Sequence, residues 1–221
     1  MSQGSRIFVD VDVQYDFCEP QGALYVSGSP NELFRKLTQY ALAHQIPILG
    51  SVDSHAYDAW EFASNENRGP QGEKPNFPDH CVKGTLGWLK VQGTLPRRFR
   101  FVPNVSEMPL HSLVNELQTG QSQGLYFEKE VYSLFANPLA ERFLEALCEG
   151  KSPQFFVYGI ATDYCVKAAV LGLLERGYKT TLITDAVAGI TSSGIESALA
   201  QMKEKGAQFT SSSTLFEGQS P

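Results

Sequence analysis

The chain has 221 residues, 42% of them hydrophobic and 19% charged, and a formal net charge of −6. Residues 1–221 are therefore expected to form one compact soluble domain with a substantial core, and the negative balance with no long lysine or arginine run argues against nucleic acid as a partner. No apolar stretch reaches the ~20 residues of a membrane span, and the four cysteines, at 18, 81, 148 and 165, form no C-x-x-C pair, so neither a disulfide framework nor a structural zinc cluster is suggested and the cytoplasm is the default location.

The first predicted element is an apolar strand near 6–13 within a segment that carries three acids in seven positions, Asp10, Asp12 and Asp16. A strand buried on both faces has no water for a carboxylate, so Asp12 is expected at the strand's carboxyl end, where open α/β sheets build their sites. A helical pattern near 30–44 leads to a second strand near 46–52 that runs into Val52-Asp53-Ser54-His55. Asp53 and His55, two apart in extended chain, project from one side, and His80 in Phe77-Pro78-Asp79-His80-Cys81 can converge on them from the following loop. One carboxylate and two imidazoles suit zinc, iron or manganese and leave positions for water or substrate. A further oxygen donor is expected from the intervening segment, which offers Asp58, Glu61 and Glu73.

Between 88 and 107 the pattern suggests a small hairpin, and Arg97-Arg98-Phe99-Arg100 reads as a surface or oligomer contact. A helix is expected near 108–118, then the short aromatic strand Leu125-Tyr126-Phe127-Glu128-Lys129, a helix near 138–148 and a strand near 154–159. After that strand Gly159 permits a sharp exit, Thr162 or Asp163 can cap the next helix, near 165–176, and Cys165 lies at its start. A thiol there faces unpaired N–H groups and the positive helix end, which favour thiolate and make Cys165 a candidate nucleophile. A strand near 179–184 ends at Asp185, expected to cap or buttress; a helix near 192–204 and a strand near 207–210 complete the chain. This alternation is the βαβ signature and predicts an α/β, Rossmann-like three-layer fold: a mostly parallel, roughly six-stranded sheet with helices on both faces.

Taken in order, these motifs resemble the nicotinamidase (pyrazinamidase-like) branch of the isochorismatase-like cysteine hydrolases, over about residues 6–190. The family's D-x-Q-x-D-F is matched by Asp12-Val13-Gln14-Tyr15-Asp16-Phe17, its D-x-H by Asp53-Ser54-His55, and its aromatic-P-x-H-C-V-x-G-T-x-G by Phe77 to Gly87. Lys129 precedes Tyr132-Ser133-Leu134-Phe135 as the family's catalytic lysine precedes Y-S-x-F, and G-x-A-T-D-x-C-V is matched from Gly159 to Val166. The resemblance implies a catalytic triad of Asp12 as general base, Lys129 and Cys165, with backbone N–H groups at Ala161 and Cys165 receiving the oxyanion and a cis peptide at Ile160-Ala161. It implies a substrate site walled by Phe17, Phe77, Tyr132 and Ala161. It further implies a divalent ion, zinc before iron or manganese, held by Asp53, His55 and His80. Many members place a second histidine where this chain has Ala59; some relatives use a glutamate seven residues before the later histidine, which selects Glu73. The implied reaction is hydrolysis of nicotinamide through a thioester, with a place in NAD salvage, another small amide or carbamoyl compound as the alternative substrate, a non-catalytic metal or thiol protein as the more distant one, and a homo-oligomer as the assembly.

Overall fold

A computed structural model describes residues 5–64, 69, 72, 74, 76–217 of the chain. Among the described residues seven strands form one sheet: β1 (Arg6–Val11), β2 (Ile48–Asp53), β3 (Phe99–Val102), β4 (Gly124–Lys129), β5 (Gln154–Ile160), β6 (Lys179–Ala188) and β7 (Gln208–Thr210), in the spatial order β3-β4-β2-β1-β5-β6-β7. Every neighbouring pair is parallel. The central strands β1, β2 and β4 are buried along almost their whole length, so they read in sequence as continuous rather than alternating hydrophobic runs.

Helices α1 (Tyr15–Cys18), α2 (Asn31–Ala43) and α7 (Ser212–Glu217) cover one face of the sheet, and α3 (Leu110–Gln118), α4 (Ala140–Cys148), α5 (Lys167–Glu175) and α6 (Ser192–Glu204) the other. One core layer packs Phe34, Leu37 and Ala41 of α2 onto Phe8, Ile48, Tyr126 and Tyr158. The opposite layer packs Leu113, Phe143, Leu147, Val170 and Met202 onto Val9, Leu49, Phe127 and Val157. The predicted α/β class thus holds, with one strand more than expected and a sheet that is parallel throughout.

The added strand corrects the reading of 88–107: Phe99–Val102 is not half of a hairpin but an edge strand paired in parallel with β4, from Phe99 beside Gly124 to Val102 beside Phe127. Its partner lies beyond α3 in the chain, so no local turn signal announces it. The unforeseen α7 is held by Asp185, whose carboxylate accepts from the N–H of Ser212 at 2.8 Å and from its hydroxyl at 2.6 Å, the capping role expected of that residue.

Register sets the site. Val11 lies beside Ser51 on one flank and Gly159 on the other, while Asp53 lies beside Lys129. The carboxyl ends of β1, β2, β4 and β5 therefore share one edge, and the chain order reverses direction at β1 and β5, where open α/β sheets place their crevice. Gly159 has φ 129, and a Cβ there would collide with the Val11 carbonyl oxygen. Only glycine lets β5 lie this close to β1 just before the Cys165 turn.

Candidate active site and metal centre

Asp12 follows the last residue of β1 and takes a left-handed φ of 48, a conformation that aspartate tolerates better than most residues. The turn aims its carboxylate along the sheet edge. One oxygen accepts from the Ser51 hydroxyl at 2.7 Å and the other lies 2.8 Å from the Lys129 ammonium. Lys129 is wholly buried at the end of β4, donates to Asp53 at 2.9 Å, and stands 3.7 Å from the Cys165 sulfur. Burial alone would lower the lysine's pKa; Asp12 and Asp53 outweigh it and hold Lys129 protonated, well above its ordinary value.

Cys165 lies in a wide turn, Thr162–Val166, in which the Ala161 carbonyl accepts from the N–H groups of both Tyr164 and Val166. This five-residue π-type turn, of the kind found at functional sites, leads into α5. Two expectations are corrected here. Neither Thr162 nor Asp163 caps the helix; the Asp163 carboxylate instead accepts from Ile190 at 3.0 Å and Thr191 at 3.2 Å, tying the loop after β6 to the turn. Nor is the thiol eased toward thiolate: burial pushes its pKa well above the ordinary value, the carboxylates of Asp12 and Asp53 add to the rise, and Lys129 offsets only part of it. A thiol so placed needs a base, and the Asp12 carboxylate is within hydrogen-bonding reach of it. The Ile160-Ala161 peptide is cis.

Asp53, His55, Glu61 and His80 are all buried, and one ligand-type atom from each lies within 4.8 Å of the others. His55 Nε2 is 3.1 Å from Asp53 Oδ2 and 3.0 Å from Glu61 Oε1; His80 Nε2 is 3.4 and 3.5 Å from the same two oxygens. Nδ1 of His80 meets the Pro78 carbonyl at 2.8 Å, which fixes the ring and leaves Nε2 toward the cluster, as imidazole ligands are commonly braced. Two carboxylates and two imidazoles fit a divalent ion such as zinc. Lys129 and the imidazoles overcome burial to keep the Asp53 carboxyl well below the usual carboxylate range.

The loops that meet here are joined by backbone. His55 donates to the Cys81 carbonyl at 3.1 Å and Lys83 donates to the His55 carbonyl at 2.9 Å. Asp16 accepts from the Cys81 N–H at 2.7 Å and from Ala23 at 3.0 Å, so the second acid of the first motif secures the His80 loop. Glu61, one of three acids weighed from sequence, is the second carboxylate of the cluster. Its carbonyl accepts from the N–H groups of Asn76 and Phe77, and its neighbour Phe62 lays its ring against both imidazoles. Asp58 is exposed and stands outside the cluster, and Glu73, chosen by family spacing, lies outside the described residues. The usable signal for Glu61 was its apolar setting, Trp60-Glu61-Phe62, which buries a carboxylate where Asp58 stays in water.

A cleft opens above these groups. Phe17, Phe77, Tyr132, Ala161 and Cys165 all line it, as do Asp53, Glu61 and His80 at its floor. Sequence reasoning did not reach Leu24, Val26, Val131, Tyr164 or Ile190, which complete its apolar walls; they come from loops whose placement depends on tertiary ties such as the one from Asp163.

Comparison with known proteins gives a consistent result. The isochorismatase domain model matches residues 6–214. The chain is 27% identical to a nicotinamidase of Escherichia coli (strain K12), covering 93% of each chain, and 26% identical to a nicotinamidase/pyrazinamidase of Mycobacterium tuberculosis (strain ATCC 25618 / H37Rv), covering 94% of this chain and all of that one. Its fold is similar to that of a pyrazinamidase of Pyrococcus horikoshii solved in complex with zinc, with a TM-score of 0.70 at 24% identity over 94% of this chain and 99% of that one.

Proposed function

The chain belongs to the isochorismatase domain family, in its nicotinamidase branch of hydrolases acting on amide C–N bonds, and from that membership we propose that its own reaction is the conversion of nicotinamide to nicotinic acid and ammonia through a thioester on Cys165. The observation that carries this reading is the buried Lys129 ammonium, 2.8 Å from Asp12, 2.9 Å from Asp53 and 3.7 Å from Cys165, the last two of which line the cleft.

In the proposed mechanism Asp12 accepts the Cys165 proton as sulfur bonds to the carboxamide carbon. Lys129 keeps the carboxylate and the developing thiolate beside one positive charge. Negative charge on the carbonyl oxygen is met by N–H groups at Ala161 and Cys165. Asp12 then gives its proton to the nitrogen, the C–N bond breaks and ammonia leaves. Water attacks the thioester, Asp12 takes a proton from it, and the sulfur recovers one as nicotinic acid departs.

Phe17, Phe77 and Tyr132 flank a flat ring, and a lining whose charged groups are the acids Asp53, Glu61 and Glu130, with no lysine or arginine to meet an anion, suits an uncharged heteroaromatic amide. Asp53, His55, Glu61 and His80 would hold a divalent ion, which when bound supplies a positive charge that orients and polarises a ring nitrogen. The deciding experiment is ammonia release from nicotinamide by purified protein before chelation, after it and after zinc is restored. Chelator-sensitive release supports the reading; no release from zinc-loaded protein overturns nicotinamide as the substrate. Cys165→Ala should abolish release while fold and zinc content are retained, and activity surviving that change would sink the covalent mechanism.

A further inference from the structure

The middle residue of the first motif, Gln14, has no part in the proposed chemistry, yet it is wholly buried and makes three hydrogen bonds through its side chain. Its Oε1 accepts from the N–H of Asp53 at 2.7 Å, while its Nε2 donates to the Asp53 carbonyl at 2.8 Å and to the Trp88 carbonyl at 3.0 Å. Both backbone groups of Asp53 are thus engaged by one side-chain amide.

The need for that amide arises from the sheet. The β1–β2 ladder ends at Val11 beside Ser51, closed by a last bond from the Asp12 N–H to the Ser51 carbonyl at 3.2 Å. At Asp12 the chain turns left-handed and leaves the sheet, which delivers the Asp12 carboxylate to Lys129. β2 nevertheless continues to Asp53, buried, with its other flank on β4, where Asp53 lies beside Lys129 and the Ser54 N–H reaches the Lys129 carbonyl at 2.8 Å. On the side that β1 has vacated, the N–H and C=O of Asp53 would be buried and unpaired, an arrangement native backbones rarely keep. The Gln14 amide supplies the missing peptide group. Gln14 is itself fixed by a backbone bridge to Lys90 and, through Trp88, by the indole donating to Ser54 at 3.0 Å.

We infer that Gln14 is a positioning residue: its side-chain amide stands in for a strand, so that β1 can part from β2 and the carboxylates of Asp12 and Asp53 can both reach Lys129 while Asp53 also faces His55 and His80. The inference rests on the reading of Asp53 as a metal ligand and Asp12 as the base.

The test compares wild-type protein with Gln14→Met, which keeps length and volume but has no hydrogen-bonding amide, and Gln14→Glu, which keeps the acceptor for the Asp53 N–H and loses the donor. Zinc affinity, measured with zinc alone against a chromophoric chelator, should weaken about 10–100-fold in both, the range found when a group bracing a metal ligand is lost. kcat should fall while KM for nicotinamide moves less, since Gln14 is not among the residues lining the cleft. A folded Gln14→Met variant with wild-type zinc affinity and wild-type kcat overturns the inference whatever its melting temperature. If neither variant folds, hydrogen exchange in the wild type decides: the Asp53 amide should exchange as slowly as the ladder amides of β2, and exchange at loop rates overturns it. Wild-type protein that binds no zinc and releases no ammonia overturns the functional reading beneath.

Discussion

Lys129 is shared by two carboxylates and approached by one thiol, and that count of charges decides what single substitutions should do. Removing the lysine leaves Asp12 and Asp53 buried without a cation, so Lys129→Met should cost about 3–5 kcal/mol of stability, readable by denaturant unfolding, besides ending activity. Asp12→Asn should separate two effects. Amide hydrolysis should fall at least ~100-fold with the proposed base removed, yet alkylation of Cys165 by iodoacetamide at pH 8 should become faster than in the wild type, because the Asp12 charge is among those that raise the thiol's pKa and Lys129 lowers it. Slower alkylation in that variant would show that the thiol is governed by something other than these charges. At this scale the sequence was readable where a polar or reactive residue stands at or just past the end of an apolar strand, as Asp12, Asp53 and Cys165 do; Lys129 ends such a strand too, but only the family resemblance set it apart from a solvated lysine. Glu61 was not singled out, because in an irregular segment its difference from Asp58 is chiefly one of burial, and burial there is produced by Phe62, Phe77 and the two imidazoles.

Strands and helices with strong internal periodicity were placed almost to the residue, α6 at Ser192–Glu204 among them, where Thr191 accepts from the Gly194 N–H at 3.0 Å and so marks the start. What escaped were elements that exist through distant partners. The edge strand β3 owes its identity to β4, and α7 owes its first turn to Asp185, which is 27 residues away from Ser212. Asp185→Ala should therefore loosen α7 at a cost of about 1 kcal/mol, the ordinary worth of a helix cap. Thermal unfolding would read the loss, and faster exchange of the amides from Ser212 onward would assign it to the helix. Gly159→Ala is expected to be far worse than a usual glycine-to-alanine change, since the added carbon meets the Val11 carbonyl; insoluble or unfolded protein is the predicted outcome.

For the molecule as a whole, an ion held by Asp53, His55, Glu61 and His80 would join the end of β2, the loop carrying Glu61 and the loop carrying His80, so it should stabilise the entire sheet edge. At a free zinc concentration 100 times its dissociation constant, the linkage is worth about 2.7 kcal/mol. Chelation should lower the melting temperature together with the activity, and His55→Ala should show the lower melting temperature from the outset with little further response to chelator. An unchanged melting temperature on stripping the wild type would argue that these four residues hold no ion. The global arrangement was legible because a parallel sheet collects its strand ends on one edge; the walls of the cleft were not, because loops such as the one carrying Ile190 are placed by ties like that to Asp163. The cleft consequently divides into two parts with different evolutionary freedom. At its floor each side chain answers to several others, and a change at one must be met by changes elsewhere, so that region can drift only by rare concerted steps. At its rim, Val131 and Ile190 are half exposed, and single replacements there are open to selection one at a time, a route by which descendants of this chain could acquire new amides while inheriting the same chemistry.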